Sequence, residues 1–281
     1  MSRVPSRSDA PAEGRTRPSD GRTAMWVSAL VPVAALVAWS GSTTAGAVST
    51  RVLPTPQAVV AATWELARSG ELSRHVLIST WRALAGLALG GSVGFILGIM
   101  SGYFTLASRL VDTPVQMIRN VPHLALIPMV IIWFGLGEEA KIFLVALGVF
   151  FPIYVNTVHG VRSLDDGLVE MARVFRLGRA ELFWRVVLPG AVPSILVGLR
   201  FALGLMWLTL IVAETIGADS GIGYLAMTAR EFMRTDIVFA TVVLYALLGK
   251  LADVITRVVE RRMLAWHPSY LHGLGASGST P

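Results

Sequence analysis

The chain contains no cysteine. That excludes disulfides, thiolate nucleophiles and cysteine-bound metal centres. Charge is also scarce: 15% of the 281 residues are Asp, Glu, Lys or Arg, where a soluble domain carries about a quarter. With 54% hydrophobic residues, this composition excludes an ordinary soluble domain and indicates an all-α polytopic membrane protein in a lipid bilayer. The five histidines are scattered, so the clustered His/Asp/Glu or Ser/His groups of a membrane-embedded enzyme are lacking. A phosphate loop is lacking too: Gly249-Lys250 has no upstream glycine spacing and is followed by Leu251 rather than Ser or Thr. Any use of ATP would therefore rest on another chain, and this chain is expected to bind no cofactor and no metal. The net charge of +6 would suggest nucleic acid in a soluble protein. On a membrane chain it reflects arginines on loops facing anionic lipid, and no nucleic-acid partner is expected.

Residues 1–23 are polar, with Arg3, Arg7, Arg15, Arg17 and Arg22 among Pro, Ser and Gly. Such a stretch buries too little apolar surface to fold and reads as a disordered tail. Residues 24–74 hold a first apolar span, about Met25 to Ala47 with Pro32 inside, and then an amphipathic segment. There Val59, Val60, Thr63, Trp64 and Leu66 suggest a short helix after Pro54 and Pro56. A cleaved signal peptide is the alternative for the first span, but no clear cleavage site follows it. The core is residues 75–265. Its second span, Thr80 to Met100, places Gly86, Gly90, Gly94, Gly98 and, just beyond, Gly102 at intervals of four. That is one stripe for close approach of another helix, from this chain or a second copy. Residues 102–120 read as a loop leading into a helix. The third span, about Val121 to Leu136, is short and interrupted by Pro122 and Pro128. Backbone freed by such breaks is tolerated only in protein contacts or along a water-filled path. A turn at Gly135–Glu139 leads to a fourth span, Lys141 to about Val158. The fifth runs from Gly190 to Ala213 and the sixth from Asp236 to Val258, joined by a loop with a helix at Tyr224–Met233. Residues 266–281 form a second tail.

The fourth and fifth spans are joined by the most informative stretch, residues 163–189. It carries Asp165, Asp166, Glu170, Arg173, Arg176, Arg179, Glu181 and Arg185, too many charges for hydrocarbon. Leu168, Met171, Ala172 and Phe175 at helical spacing predict a helix capped by Asp166 and ended by a left-handed Gly178. A second helix, Ala180 to Val187, is expected to bury Leu182, Phe183 and Val186 and to stop at Pro189. Two short helices in a membrane loop read as a docking surface for a soluble partner, or as a connector lying on the headgroups. Arginine placement sets the orientation. With the start inside, the inner segments hold the five tail arginines and Arg109, Arg119, Arg162, Arg173, Arg176, Arg179, Arg185, Arg257, Arg261 and Arg262. The outer ones hold Arg51, Arg68, Arg74, Arg230 and Arg234. Six spans follow, with both termini and the charged loop cytoplasmic.

Glu170-Met171-Ala172, then Gly178, then Leu188-Pro189 resembles the cytoplasmic "EAA" loop of bacterial ABC-type importer permeases. Met171 stands where Ala is usual, a departure many members share and one that keeps a good helix former. The run HLALIPMVIIWFGLGEEAKIFLVALGVFFPIYVNTVHGVR is similar to the nitrate/sulfonate/taurine branch of that family. GLRFALGLMWLTLIVAETI, SGIGYLA and VLYALLGKLAD resemble permeases for aliphatic sulfonates. The likeness covers roughly His75 to Tyr270. It implies a type I ABC importer permease fold of six transmembrane helices, multi-pass in the bacterial cytoplasmic (inner) membrane. It implies a transport subunit rather than an enzyme: a homodimer of permeases with two copies of a separate ABC ATPase subunit and an extracytoplasmic substrate-binding protein. Glu170, Met171, Ala172, Gly178, Leu188 and Pro189 would then form the ATPase-coupling loop, Glu170 favouring the helix dipole and accepting hydrogen bonds from the ATPase. The implied substrate is a small anion, an aliphatic sulfonate, with nitrate, taurine or another small organic anion as alternatives.

Candidates for a translocation path or gate are Asn120, His123, Asn156, Arg200, Trp207 and Glu214. Arg200 lies about ten residues into its span, roughly 15 Å along a helix. It would compensate an anionic substrate or pair with Asp253 on the sixth span. Lys250 and Asp253, three residues apart, can pair with each other. Glu214 closes the fifth span and suits a gate or hydrogen-bonding role better than direct contact with an anion. A different class, an ion-gradient-driven secondary transporter, predicts midplane carboxylates and an internal repeat. The acidic residues here stand at span ends or in loops, and no clear repeat is seen.

Overall fold

The computed structural model describes residues 21–265. The tail expected before residue 21 and the one at 266–281 lie outside the described residues. The chain divides after Pro56 into two units. The first holds α1, Gly21–Thr44. It starts before the predicted Met25, taking in residues assigned to the tail, and continues through Pro32. Leu30, Val31, Leu36 and Val37 are exposed, as lipid-facing residues are. The helix ends where the hydroxyls of Ser42 and Thr43 donate back to the Trp39 carbonyl. The Trp39 indole N–H donates to the Pro54 carbonyl at 2.9 Å and so ties down the segment that follows.

The second unit is helical, with no strand among the described residues: α2 (Pro56–Arg68), α3 (Glu71–Tyr103), α4 (Thr105–Arg119), α5 (Ile127–Phe134), α6 (Glu138–Arg162), α7 (Asp166–Val174), α8 (Arg179–Leu182), α9 (Leu188–Thr215), α10 (Ile222–Glu231) and α11 (Thr235–Met263). In α2 the apolar face is Val59, Ala62 and Leu66, whereas Val60 and Trp64 point outward; the guanidinium of Arg68 covers the Trp64 ring at 4.9 Å. The second span begins at Glu71 rather than Thr80 and is 33 residues long. At 1.5 Å per residue it measures about 50 Å, more than the ~30 Å of hydrocarbon, so both ends have room to reach polar surroundings.

α6 is the central helix, because glycine lets it approach two neighbours closely. The stripe on α3 faces α6 in the same chain. A Cβ at Gly86 would fall on Val145 and one at Gly90 on the Ala146 backbone. At Gly94 it would lie 2.7 Å from the Phe150 carbonyl, at Gly98 2.7 Å from Thr157 and at Gly102 2.6 Å from Val161. On its opposite side α6 meets α9 through Gly148 against Thr209, Gly160 against Ala191 and Ser194, and Gly198 against Pro152 and Asn156. Ala83, Val145, Val149, Ile153, Ala202, Met206, Trp207 and Leu210 close the core between these three helices. Such packing is the main source of cohesion where lipid is as apolar as the side chains.

α3, α6, α11 and the continuous run Arg179–Thr215 are long and apolar enough to cross a membrane. α4 and the segment His123–Phe134 form a bent pair, at 84°, that passes the same test together. The expected interrupted third span is thus a 3-10 turn at His123–Leu126 followed by α5. Residues expected as a loop before it are mostly α4.

The charged loop holds both predicted helices, with different ends. α7 is capped by Asp165, whose carboxylate accepts from the Gly167 N–H at 2.8 Å. The left-handed residue after it is Arg176 (φ 55), not Gly178 (φ −66). The Leu177 N–H bonds back to the Ala172 carbonyl at 3.0 Å, a Schellman closure that satisfies a carbonyl left over at the helix end. Pro189 does not stop the second helix. A π-helical turn, Phe183–Val187, joins α8 to α9, and Pro189 lies in the first turn of α9. The wider i→i+5 pattern absorbs the missing N–H at the position where an α-ladder would break. α10 begins two residues before the predicted Tyr224 and ends in a left-handed Met233 (φ 56).

Candidate functional site

Three places carry polar chemistry. The first is the charged loop. Its base is anchored: Leu164, Leu182 and Phe183 pack on Val161, Val187 and Ala191, and the Tyr103 ring meets Phe183 edge-on at 5.6 Å. Ala172 is buried, as an inward-facing helix position should be. Leu182, Phe183 and Val186, expected to be buried, are half-buried. Leu168, Met171, Val174, Phe175 and Trp184 are all exposed, Phe175 at 73% and Val174 at 79%. Among the described residues Glu170 is exposed and makes no hydrogen bond or ion pair. Gly178 is exposed, has an ordinary φ, and would meet nothing with a Cβ, so nothing among the described residues demands glycine there. Leu188 and Pro189 are half-buried where α9 begins.

The second place was not anticipated. At the opposite end of α3, α6 and α9, Arg82 is 1% exposed and sits between two carboxylates. Its Nε and Nη2 donate to Glu138 at 2.6 and 2.5 Å, and Nη1 donates to Glu214 at 2.8 Å and to the Ser220 carbonyl at 2.6 Å. Glu214 is buried and also accepts from the Ser79 hydroxyl at 2.7 Å and the Gly223 N–H at 2.9 Å. The His75 Nδ1 accepts from the Gly221 N–H and the Ser79 oxygen from the Ile222 N–H. The segment 217–223 can wrap a carboxylate so tightly because Gly217 and Gly221 take positive φ and a Cβ at Gly221 would overlap the Glu214 carboxyl. Of the roles expected for Glu214, hydrogen bonding is present within this chain: the buried carboxylate accepts from Arg82, Ser79 and the Gly223 N–H.

The third place is polar too. Asp112 of α4 accepts from the Tyr154 hydroxyl at 2.5 Å, from Arg162 at 2.6 Å and from Ser108 at 3.1 Å, joining α4 to α6. Arg162 also donates to the Ser101 carbonyl on α3 at 2.9 Å.

The six path candidates do not converge. His123 Nε2 lies 2.9 Å from the Thr209 hydroxyl, in the space left by Gly148. The Asn156 amide donates to the Pro152 carbonyl beside Gly198. Trp207 lies in the core, with its indole N–H unpaired. Asn120 is exposed at the end of α4. Arg200 pairs with Glu260, not with the expected Asp253. Asp253 pairs with Arg257 at 2.7 Å and with Lys250 at 3.7 Å, the second as anticipated. Among the residues overlooked, Arg82 had a signal: an arginine inside an apolar helix needs partners. Glu138 looked like an ordinary turn residue, and its role depends on a neighbour 56 positions away.

The family described as binding-protein-dependent transport system inner membrane component matches residues 94–265. A protein of Escherichia coli (strain K12) named as an aliphatic sulfonates transport permease, SsuC, is 60% identical over 249 residues, covering 89% of this chain and 94% of that protein. The protein of the same name in Bacillus subtilis (strain 168) is 43% identical over 91% of this chain and 93% of its own length. The taurine transport system permease protein TauC of Escherichia coli is 34% identical over 83% of this chain and 86% of its own. Among solved structures, an amino acid ABC transporter with histidines matches with a TM-score of 0.56 at 16% identity, over 67% of this chain and 92% of that chain, a likeness of fold. By the family match and these identities, the chain belongs to the binding-protein-dependent transport system inner membrane components.

Proposed function

We propose that this chain is the permease subunit of an ATP-binding cassette importer that carries aliphatic sulfonates. Family membership makes it a transport permease rather than an enzyme. The substrate rests on one observation, 60% identity over 89% of the chain to a permease named for aliphatic sulfonates. The weaker likeness to the taurine permease makes taurine, itself a sulfonate, the second choice.

The charged loop is the ATPase-coupling element in this reading. Its support is the exposed apolar face of Met171, Val174, Phe175 and Trp184 on a loop too charged for hydrocarbon. Such a face needs a protein partner. Gly178, which nothing among the described residues requires, fits a point where the partner's backbone comes close. Two copies of the chain, two ATPases and an extracytoplasmic binding protein complete the assembly. α8, the π turn and α9 are continuous, so displacement of the loop by ATPase closure would carry α9 with it and reopen the cavity toward the other side. Six spans, counting α1, with both termini and the loop cytoplasmic agree with the arginine distribution.

The test is growth of a strain deleted for its sulfonate importer and restored with this chain, its ATPase and its binding protein. Growth is expected with ethanesulfonate as sole sulfur source, and Glu170→Ala should abolish it while leaving growth on sulfate intact. Rescue on taurine or on nitrate as sole nitrogen source, without rescue on ethanesulfonate, would discard the substrate and keep the importer. Full growth of the Glu170→Ala strain would discard the coupling role.

A further inference from the structure

α4 and α6 leave between them a cleft of about 160 Å³. That is below the roughly 300–1,000 Å³ of pockets for drug-sized ligands, so its occupant is small. One wall is polar. Asp112 belongs to it but is satisfied by Tyr154, Arg162 and Ser108. Its charge is matched by Arg162 at 2.6 Å, so this pair contributes no net charge. Two further groups on α4 line the cleft, Gln116 and Arg119. Both are exposed, and among the described residues neither makes a hydrogen bond or ion pair. Arg119 thus supplies one uncompensated positive charge at the break between α4 and the following 3-10 turn. An arginine within a bent spanning pair needs a counter-charge or water. The opposite wall is apolar, formed by Val155 and Val158 of α6, both half-buried.

A cation and an amide facing two valines, in a space for a few heavy atoms, complement a short alkyl chain with an anionic head. We propose that this cleft is a transit site for alkanesulfonates, with the sulfonate on Arg119 and Gln116 and the alkyl chain against Val155 and Val158. The assignment rests on the substrate class proposed above. A single cation in an open cleft binds weakly, which suits a site that must release what it holds.

The test uses the purified permease–ATPase complex in nanodiscs of neutral phosphatidylcholine, with radiolabelled methanesulfonate and butanesulfonate as probes. Uptake of butanesulfonate, driven by ATP and loaded binding protein, is measured in proteoliposomes beside it. Arg119→Gln should weaken binding of both probes by about tenfold or more, the loss of a charge-assisted hydrogen bond. Arg119→Lys should retain most of the affinity. Val155→Phe, which narrows the apolar wall, should penalise butanesulfonate more than methanesulfonate. Unfolding temperatures equal to wild type confirm that the variants are folded, as expected for an exposed arginine without partners. Wild-type affinity and chain-length preference in both Arg119→Gln and Val155→Phe would overturn the site. So would loss of co-purifying phosphatidylglycerol in Arg119→Gln with sulfonate binding unchanged, which would assign the cleft to a lipid headgroup. Failure of the wild-type complex to take up any sulfonate would instead remove the substrate class, and the site with it.

Discussion

Arg82→Leu is expected to be among the most damaging single changes in this chain. The guanidinium is 1% exposed and makes five hydrogen bonds, to Glu138, Glu214, and the carbonyl and hydroxyl of Ser220. Leucine would leave the Glu214 carboxylate, whose side chain is fully buried, with the neutral donors Ser79, Tyr245 and the Gly223 N–H but no cation. Breaking a buried pair from one side costs about 3–5 kcal/mol, because a charge is left uncompensated. Glu138 is different. Its side chain is 51% exposed, so Glu138→Gln should behave like loss of a surface pair, about 0–1 kcal/mol. At roughly 2–4 °C per kcal/mol for a domain of this size, the expected shifts in Tm are about 6–20 °C for Arg82→Leu and at most about 4 °C for Glu138→Gln. The Arg82→Leu/Glu214→Leu double variant should recover part of the loss, since the buried carboxylate is no longer left without its cation. Thermal unfolding of the purified protein in one detergent, followed by tryptophan fluorescence, measures all of these. A larger shift for Glu138→Gln than for Arg82→Leu, or a double variant equal to the sum of its singles, would refute the reasoning.

Gly90→Ala should destabilise by about 1–3 kcal/mol or more, because its Cβ falls on the Ala146 backbone; Gly204→Ala, with nothing within 4 Å, should be neutral or gain roughly 0.5–1 kcal/mol, and the same unfolding assay separates them. Phe175→Ser should leave Tm unchanged, since the ring is 73% exposed, yet reduce co-purification of the ATPase; equal recovery would count against the coupling face. A double-mutant cycle of Arg200→Met with Glu260→Gln should give a coupling of about 1 kcal/mol, discounted for the exposure of Arg200. The cycle of Arg200→Met with Asp253→Asn should be additive within about 0.5 kcal/mol, and the opposite ranking would restore the pairing expected from sequence.

The positions of the helices were largely legible before the structure. Long apolar runs and the charges of residues 163–189 report directly on where lipid ends. Within that stretch Glu170, Met171 and Gly178 are exposed, as a loop outside lipid allows, while Ala172 is buried and Leu188 and Pro189 are half-buried against the chain. Local backbone detail was less legible. Gly178 looked like the left-handed residue because glycine tolerates that conformation, but the closure of α7 falls at Arg176, where the Ala172 carbonyl finds the Leu177 N–H. Pro189 looked like a stop because the cost of a missing N–H is real. The π turn before it removed that cost without ending the helix.

The sequence by itself determined that this is a helical membrane protein, that α3 carries a face for close approach, and that one loop must lie outside the bilayer. Each of these follows from residue type and spacing along a single element. Tertiary structure alone decided that the glycine stripe meets α6 of the same chain, and that Arg82 joins Glu138 to Glu214, which lie 56 and 132 positions away. It also decided that Arg200 reaches Glu260 rather than Asp253, seven residues earlier on the same face of α11. Seven residues are two helical turns, about 10 Å. Spacing within a helix fixes which face a residue occupies, but its height against a neighbouring helix depends on how the two pack, and only the folded arrangement sets that.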